Sequence, residues 1–554
     1  MCKILTLKTR LNSFIHINQL PSEILARILV AHAEDHYRSA TGRWDKSVFT
    51  SPRWIKLAHV CRHWRDVALD TPRFWSFVYV RRPKTFHALL PLSKSAPLHI
   101  DLTLDPSIWS GAEAWKSATD LIGKQSHRLR ELRFAATSNQ VKMLAEKMGH
   151  SSMGWLEKLV LSHSNSKATD AGGSEPLQFL QPTTGRTPHL RHLEIRHLLV
   201  TWTDPVFCPT LTTLTVVAPK SSRNPATPIG TFEQFLDALR AMAPSLVDLK
   251  LEECMPRLLS TAEHSTSTRA IPLTSLQHLT ISDTMGDCIR LLDHLCVNPT
   301  TTLNIFAIGV TETPRLVEIL SAHVSRSTPL LALQIIFPQP TSSFVDITCH
   351  CNADLSLFRG RPAINLLLRT SPSDEAREQP LTAVLKASKT LFSRVQTLHL
   401  TAQNGLDVSW KRLFPRLYSV ETLSISGDPG KGFFKALCNV RRVQKGQVWA
   451  TFVPLRRLRK LDLDDVRFRN SLWGYERGAG EFFDQLRDWA ILRCNYGVPL
   501  ERLNIWECKY MDATDVTLLK QIIVEVEWDE WERGSTDEED DDDDIFFDDD
   551  VYSY

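Results

Sequence analysis

A six-residue sequence motif recurs along most of the chain and limits the folds that the chain can adopt. It has the form LxxLxL, with other aliphatic residues in some positions, and thirteen copies begin between residues 129 and 500. The copies start 21 to 42 residues apart, with a mean of 31 (371 residues over 12 intervals). Because side chains alternate between the faces of a strand, each copy predicts a short strand with buried aliphatic residues.

Ten copies are clear: LRELRF (129), LEKLVL (156), LRHLEI (190), LTTLTV (211), LVDLKL (246), LQHLTI (276), VQTLHL (395), VETLSI (420), LRKLDL (458) and LERLNI (500). The weaker copies are TTTLNI (300), LLALQI (330) and AINLLL (363). A further segment, APLHIDLTL (96–104), predicts an earlier strand of the same series.

The segments between the copies have helical patterns, as in TFEQFLDALRAMAPS and MGDCIRLLDHLCV. One strand and one helix cannot bury their apolar faces alone, so such units stack on their neighbours. The pattern therefore predicts a curved parallel sheet in an irregular α/β solenoid over residues 81–515, and it resembles leucine-rich repeats. The alternative is that the motif recurs by chance in a leucine-rich α/β protein.

The residues between the aliphatic positions of each copy are expected to line the outer face of the predicted sheet. This row mixes acids, bases and histidines, which suits a protein partner better than a phosphate backbone. We therefore predict that the face binds a target protein, with merely solvated positions as the alternative. The candidate target-binding residues are Lys158, His192, Lys250, His278, His399, Lys460 and Arg502, and the same row contains Glu131, Arg133, Glu194, Asp462 and Asn504.

The first eighty residues carry a different pattern, made of two amphipathic segments. In INQLPSEILARILVAH, Pro21 suits the first turn of a helix, and Leu20, Ile24 and Ile28 follow at intervals of four. A second helix is predicted through apolar residues at helical spacing: Trp54, Leu57, Ala58, Cys61, Trp64 and Ala68. A unit of this size, residues 14–80, cannot bury all of these side chains, and such an excess indicates an interface.

The segments LPSEILARIL (20–29) and LAHVCRHWRDVALDTPRFW (57–75) together resemble the F-box, in the form common in fungal proteins. The Leu-Pro opening, the Ile/Leu helix, the VCRxWR helix and the final tryptophan occur in the family's order. The resemblance implies a trihelical module that binds a Skp-type adaptor and, through it, a cullin. The adaptor-facing residues that it implies are Leu20, Pro21, Ile24, Ile28, Val60, Cys61 and Trp64. The alternative is an amphipathic helix pair that belongs to a larger core.

Charge is distributed unevenly along the chain. Asp537–Asp550 (DEEDDDDDIFFDDD) holds eleven acids and no base, so the rest of the chain carries 65 bases against 52 acids, a net charge of +13. A run of like charges this dense predicts a disordered acidic tail over residues 534–554. The basic remainder motivates an alternative function as a nucleic-acid or chromatin-associated binding protein, although the bases are dispersed.

Two further features concern the compartment. No run of about 18 apolar residues occurs, so a membrane is not an expected partner. The eleven cysteines have no repeating spacing, which predicts reduced thiols in a cytoplasmic or nuclear protein.

Motifs for catalysis, cofactors and metals give no positive signal. SGDPGKGFF (426–434) lacks the Ser or Thr that a phosphate loop needs after its lysine. In TCHCN (348–352), adjacent residues of a strand point to opposite faces, so they cannot surround one metal ion. His59 and His63 have the spacing of a zinc pair, but no Glu or Cys on that face completes the ligand set. We therefore expect no enzymatic activity, no catalytic residue, no cofactor and no metal site.

These patterns together predict the substrate-recognition subunit of an SCF-type cullin E3 ubiquitin ligase. Residues 14–80 are expected to bind the Skp-type adaptor, and residues 81–515 are expected to bind a target protein. Two alternatives stay open. One is a non-degradative F-box scaffold, and the other is the nucleic-acid or chromatin-associated protein, which the dispersed bases make the weaker choice.

Overall fold

A computed structural model gives the structure of the chain over residues 10–12, 14–41, 53–79, 83–103, 112–149, 153–163, 187–219, 230–256, 270–309, 312–326, 329–337, 344–353, 362–369, 384, 391–402, 410–430, 432–445, 448–468 and 482–530. The predicted acidic tail, residues 534–554, lies outside these ranges. Contacts divide the chain into two compact units, one of residues 1–283 with 294–298 and one of residues 284–293 with 299–554.

The N-terminal module begins with a short 3-10 helix, His16–Gln19, followed by helix α1, Ser22–Thr41. The carbonyl of Pro21 accepts the first backbone hydrogen bonds of α1, at 3.0 and 3.1 Å. The buried face of α1 is a stripe at intervals of four: Leu25, Leu29, Ala33 and Tyr37. The predicted amphipathic helix is therefore present. Of its predicted apolar residues, Leu25 and Leu29 are buried, whereas Ile24 and Ile28 are exposed.

The second predicted helix is wrong in one respect, because it is interrupted. Arg53–His59 is a 3-10 helix, and helix α2 begins only at Arg62 and ends at Leu69. Between them Cys61 is extended, with φ −155° and ψ 176°. The interruption lets Trp54 and Trp64 both reach the interior while Val60 stays exposed, which helical spacing along one axis does not reveal.

An aromatic cluster closes the module. The 3-10 helix Pro72–Ser76 brings Phe74 and Trp75 against Trp54, with ring centroids 4.7 and 5.7 Å from it. The Trp75 indole N–H donates to the carbonyl of Ala68 at 2.7 Å. These edge-on contacts, each of about 0.5–1.5 kcal/mol beyond burial, hold the end of the module against α2.

The first unit contains a parallel sheet that follows chain order. Its strands are β1 Phe77–Tyr79, β2 Leu98–Thr103, β3 Leu129–Ala136, β4 Lys158–His163, β5 His192–Arg196, β6 Thr213–Val217, β7 Asp248–Glu252 and, after a short strand β8 Ile271–Leu273, β9 His278–Thr284. The short strand pairs instead with β10, Leu295–Val297. One buried leucine of each repeat stands in register with the next: Leu132, Leu159, Leu193, Leu214, Leu249 and Leu279.

The second unit contains the remaining strands. They are β11 Thr302–Ile308, β12 Ala332–Phe337, β13 Phe344–His350, β14 Ile364–Arg369, β15 Thr397–Ala402, β16 Thr422–Gly427, β17 Arg441–Lys445, β18 Val448–Phe452, β19 Lys460–Asp464, β20 Arg502–Trp506 and β21 Glu525–Trp528. Each of the thirteen LxxLxL copies lies on a strand, as predicted. The pair β17 and β18 forms a separate antiparallel hairpin.

The strand order in the second unit departs from the predicted parallel stack. Strand β13 lies between β12 and β14 and runs antiparallel to both, and β14 pairs with β11. The reason is the six-residue connection from Phe337 to Phe344, since a parallel crossover needs a dozen residues or more. From β12 through β15, β16, β19 and β20 to β21 the pairing is parallel again.

The helices that connect the strands bury apolar side chains. They are α3 Pro83–Leu89, α4 Ala112–Lys124, α5 Ser138–Gly149, α6 Phe232–Met242, α7 Met285–His294, α8 Thr313–Ser325, α9 Trp410–Leu413, α10 Phe433–Leu437, α11 Phe482–Asn495 and α12 Ala513–Lys520. Helix α6 begins at a capping box, in which Thr231 and Gln234 bond each other's backbone N–H groups. No helix of the described ranges has both the length and the apolar character needed to cross a bilayer.

Candidate functional site

Helix α1 exposes part of two isoleucines that flank its buried stripe. Ile24 and Ile28 are each 40% exposed, whereas the neighbouring Leu25 and Leu29 are completely buried. One turn separates the two isoleucines, so their side chains lie next to each other along the helix. They form a small apolar surface on a helix whose core contacts are already made.

The start of α2 adds to the exposed apolar surface of the module. Val60 is 57% exposed, and Cys61, the N-cap residue of α2, is half-buried. At the start of α1, Pro21 is exposed and Leu20 is half-buried. Six of the seven residues predicted to face the adaptor therefore have accessible side chains.

Trp64 is the seventh, and it is only 7% exposed. Its indole N–H donates to the side-chain oxygen of Asn18, at 2.6 Å. A side chain held in this way positions the chain before α1 and offers little surface to a partner. Asn18 was not among the predicted residues, because nothing in the local pattern marks a hydrogen bond that spans 46 positions.

Exposed apolar side chains are concentrated in this module. Fifteen large apolar side chains are exposed among the described residues, and eight of them fall within about a tenth of the chain: Leu11, Phe14, Ile15, Ile17, Ile24, Ile28, Val60 and Leu69. Scattered single residues of this kind need no explanation, but a concentration marks an interaction surface.

The module is anchored on the first sheet through Tyr37. Its ring lies 5.8 Å from that of Phe77 in β1, which stacks on His99 in β2 at 4.9 Å. Burial raises the pKa of the Tyr37 hydroxyl well above its ordinary value, with the nearby Glu131 and Asp101 acting in the same direction. The packing fixes α1, and hence its exposed isoleucines, relative to the first strands.

The outer row of the first sheet is a chain of ion pairs. Glu131 lies 3.0 Å from Arg133, 3.5 Å from Lys158 and 3.5 Å from His99. Burial acts to raise the pKa of Glu131, but the hydrogen bond from His99 and the charges of Lys158 and Arg133 outweigh it and lower the pKa to about 2. The candidate residue Lys158 is therefore one member of a partly buried charge network.

Two other candidates in the first unit have similar neighbours. His192 lies 3.6 Å from Glu194, and Lys250 lies 2.8 Å from Glu252. Burial opposes ionisation of Glu194, yet the neighbouring His192 and Arg196 lower its pKa to about 2. His278 is half-buried on β9, at the same outward position.

The charge network predicts a pH-dependent stability. The pKa of Glu131 in the folded chain, about 2, is below its ordinary value of 4.5, so its stabilising effect is complete above pH 4.5 and decreases as the pH falls towards 2. We expect Glu131→Gln to lower the unfolding free energy by about 2 kcal/mol at pH 7, and the deficit to shrink between pH 4.5 and 3. Urea denaturation followed by circular dichroism measures both.

The matched control is Glu157→Gln, because Glu157 pairs with Arg130 at 2.8 Å on an exposed surface. Exposed pairs contribute about 0–1 kcal/mol, so this variant is expected to stay close to the wild type. An equal deficit for the two variants at every pH between 3 and 7 would show that the Glu131 network has no special role.

In the second unit the outer row contains hydroxyl and amide groups beside its charged side chains. His399 lies 2.9 Å from the Ser424 hydroxyl and 3.1 Å from the Thr401 hydroxyl, and burial lowers the pKa of its imidazole. Through these contacts His399 links its own strand β15, which carries Thr401, to Ser424 of the neighbouring strand β16.

The last two candidates lie beside carboxylates. Lys460 is 3.0 Å from Asp462, which also accepts a hydrogen bond from Asn504 at 2.8 Å. Arg502 is 2.7 Å from Glu525 in β21. The seven candidate target-binding residues thus share outward strand positions, distributed over the strands of the two units.

The TCHCN motif lies on β13 and at its end. Cys349 is buried, and burial raises the pKa of its thiol to about 12, which disfavours the thiolate that a metal would need. Within the described ranges no three His, Cys, Asp or Glu side chains are grouped so that they could hold a metal ion.

Residues 17–81 match the family model described as F-box-like, over 65 of the 554 residues. The match spans α1, α2 and the aromatic cluster, with the exposed isoleucines inside it. A search among curated proteins found no match to the chain. The N-terminal helical region of this protein is an F-box-like domain.

Proposed function

We propose that the protein is the substrate-recognition subunit of an SCF-type cullin E3 ubiquitin ligase. The observation that carries this proposal is the exposed apolar surface of Ile24, Ile28 and Val60 on an F-box-like domain. F-box domains typically bind Skp-type adaptors, and an apolar surface on an otherwise packed module is what such a partner would cover. The adaptor would in turn connect the chain to a cullin.

We assign the adaptor-binding role to residues 14–80 and, within them, to Leu20, Pro21, Ile24, Ile28, Val60 and Cys61. Trp64 has a positioning role in this proposal, because it is buried and bonded to Asn18. The domain would be of the fungal type that its sequence resembles.

Residues 81–515 would hold the target. Buried leucines stand in register on the parallel strands of each unit, as Leu398, Leu423 and Leu461 do in the second. This register supports leucine-rich-repeat-like stacks, interrupted in the second unit by β13. Their outer rows expose carboxylates, bases, histidines and amides that a protein surface can match in charge and hydrogen bonding. The proposed contacts are Lys158, His192, Lys250, His278, His399, Lys460 and Arg502.

In this role the protein performs no bond chemistry itself. Holding a target lysine close to a charged conjugating enzyme raises its effective concentration, and that proximity is the contribution of a receptor. The tail at residues 534–554 has no assigned part in it. The protein would act in the cytoplasm, the nucleus or both.

The test is co-purification of the full chain with a purified Skp-type adaptor, followed by addition of the cullin. A stoichiometric complex on size-exclusion chromatography supports the proposal, and failure to bind any adaptor tested rejects it. Proximity labelling in cells then identifies targets. Adaptor binding with no change in target ubiquitination would favour the non-degradative scaffold.

The nucleic-acid alternative depends on the +13 charge of the chain outside its acidic run. On the outer rows, however, Arg133, Lys158, Lys250, Lys460 and Arg502 lie within ion-pair distance of carboxylates. A surface that is already neutralised releases few counterions from a phosphate backbone. Binding to duplex DNA or RNA that weakens steeply between 50 and 200 mM salt would reverse this preference.

A further inference from the structure

The segment before α1 carries apolar side chains that the F-box-like match does not account for. We call it the leader segment: residues 14–19 with the helical turn at 10–12. Phe14 is 75% exposed and Leu11 is 68% exposed, and Ile15 and Ile17 are exposed as well. The family match begins at residue 17, so Leu11, Phe14 and Ile15 precede it.

The leader segment is held in place by polar groups. The Asn18 side-chain amide donates to the carbonyl of Asn12 at 2.7 Å, while its oxygen accepts from Trp64. Gln19 donates to the carbonyl of Phe14, and two turn hydrogen bonds, at 3.2 Å, join the backbone of residues 11–15. The segment therefore has a defined backbone path without burying its large apolar residues.

In the leader segment the large apolar side chains face solvent and a polar side chain contacts the module, which is the reverse of the usual orientation. An apolar segment at a protein surface normally turns its large side chains inward, because burial removes them from water. Here no residue of the 3-10 helix His16–Gln19 is buried, and the polar side chain of Asn18 makes the hydrogen bond to α2. The exposed side chains have what a docking surface needs, which is a fixed scaffold and uncovered apolar area.

We propose that the leader segment extends the adaptor-binding surface, so that the Skp-type adaptor covers Leu11, Phe14 and Ile15 together with Ile24 and Ile28. The inference rests on the proposed function and adds a second apolar contact to it. We infer the same adaptor because the leader segment is continuous with the proposed adaptor-binding residues, since it runs directly into Leu20 and Pro21. It is also tied to Trp64 in α2, the helix that follows Val60.

The experiment measures adaptor affinity for the full chain by isothermal titration calorimetry. The leader variant is Leu11→Ser/Phe14→Ser/Ile15→Ser, and the matched control is Trp155→Ser, which removes an apolar side chain that is 64% exposed outside the module. We expect the leader variant to bind at least about tenfold more weakly and the control to bind as the wild type. The melting temperature should be unchanged in both.

The variant Ile24→Asp/Ile28→Asp separates this inference from the proposed function. If that variant loses the adaptor while the leader variant binds like the wild type, the extension is wrong and the receptor role stands. If neither variant changes the affinity, the proposed function fails together with the extension. If the leader variant has a lower melting temperature, other parts of this chain cover the segment, and the inference is overturned. If the wild-type protein self-associates and the leader variant is monomeric, a second copy covers the segment, and the inference is overturned as well.

Hydrogen exchange gives a second reading that needs no variant. Amides of residues 14–19 should become protected when the adaptor is added, to a degree similar to the first two turns of α1. Unchanged exchange in the leader segment, with protection in α1, would overturn the extension. Protection of both regions supports it.

Discussion

Replacing Ile24 and Ile28 together by aspartate is expected to weaken binding to a Skp-type adaptor by at least about 100-fold, or about 3 kcal/mol. The two side chains are 40% exposed in the free chain, and the substitution spares the completely buried Leu25 and Leu29. In the complex each carboxylate would be buried against apolar surface without a partner, which costs several kcal/mol unless the groups stay solvated and the contact is lost. Calorimetric titration measures the loss of affinity.

The matched control is Ser39→Asp, an exposed position of the same helix about 16 Å beyond Ile28. It adds the same kind of charge to α1 away from the proposed contact, so its affinity should remain within about twofold of the wild type. Both proteins should melt within a few degrees of the parent. Equal affinities of the double variant and the wild type would contradict the assignment of this surface.

Removal of the guanidinium of Arg493 is expected to produce the largest loss of stability, about 3–5 kcal/mol for Arg493→Met. Arg493 is almost fully buried in α11, and it donates to the carbonyls of Leu455 and Leu458 at 3.2 and 2.7 Å. Its guanidinium also lies 5.2 Å from the centre of the Trp489 ring. Methionine can fill the space, but the carbonyl of Leu458 then loses its Arg493 donor, and the carbonyl of Leu455 keeps only the backbone N–H of Leu458.

The backbone that Arg493 holds is unusual. Leu455 has a φ of +46°, a left-handed conformation that leucine rarely adopts, and its carbonyl is one of the two acceptors. Replacing a buried charge by an apolar residue can be neutral when its partner is replaced as well, but a backbone carbonyl cannot be removed. Burial lowers the pKa of Arg493 to about 10, so the side chain stays charged at pH 7.

Urea denaturation at pH 7 measures this effect, with Arg487→Met as its control. Arg487 lies on the same helix and pairs with Asp484 and Asp488 at 3.1 Å on the surface. Its loss should cost less than about 1 kcal/mol. If the two variants were equally stable, the buried hydrogen bonds to Leu455 and Leu458 would contribute no more than a surface ion pair.

The thirteen strands were predictable because strand formation follows from local alternation. In LEKLVL or LRKLDL aliphatic residues occupy alternate positions at the end of the motif. A two-residue period matches a strand, whose alternate side chains point to the same face. The exposure of Ile24 and Ile28 was also predictable in part, because the module contains more bulky apolar residues than it can enclose. These inferences use only residues that are near one another in the chain.

Other features depend on which distant segments meet. FVDITCH lacks the LxxLxL form, so neither its strand β13 nor its antiparallel place beside β14 followed from the repeat. The helical spacing predicted one continuous helix through Val60 and Cys61, yet the helix is interrupted there, and two tryptophans pack inward on either side of the interruption. Trp64 shows the same limit, because its indole N–H bonds to Asn18, which lies 46 positions away in the sequence.

By itself the sequence determined where the strands lie, that the N-terminal helices are amphipathic, and that these helices resemble an F-box. The periods of strands and helices are local, so the pattern of side chains along a few turns is enough to reveal them. The tertiary structure alone decided that Leu25 and Leu29 face the core while Ile24 and Ile28 face solvent, and that the leader segment is held with its apolar side chains outward. Burial is a property of the surface against which a residue packs, and that surface comes from parts of the chain that no local period connects.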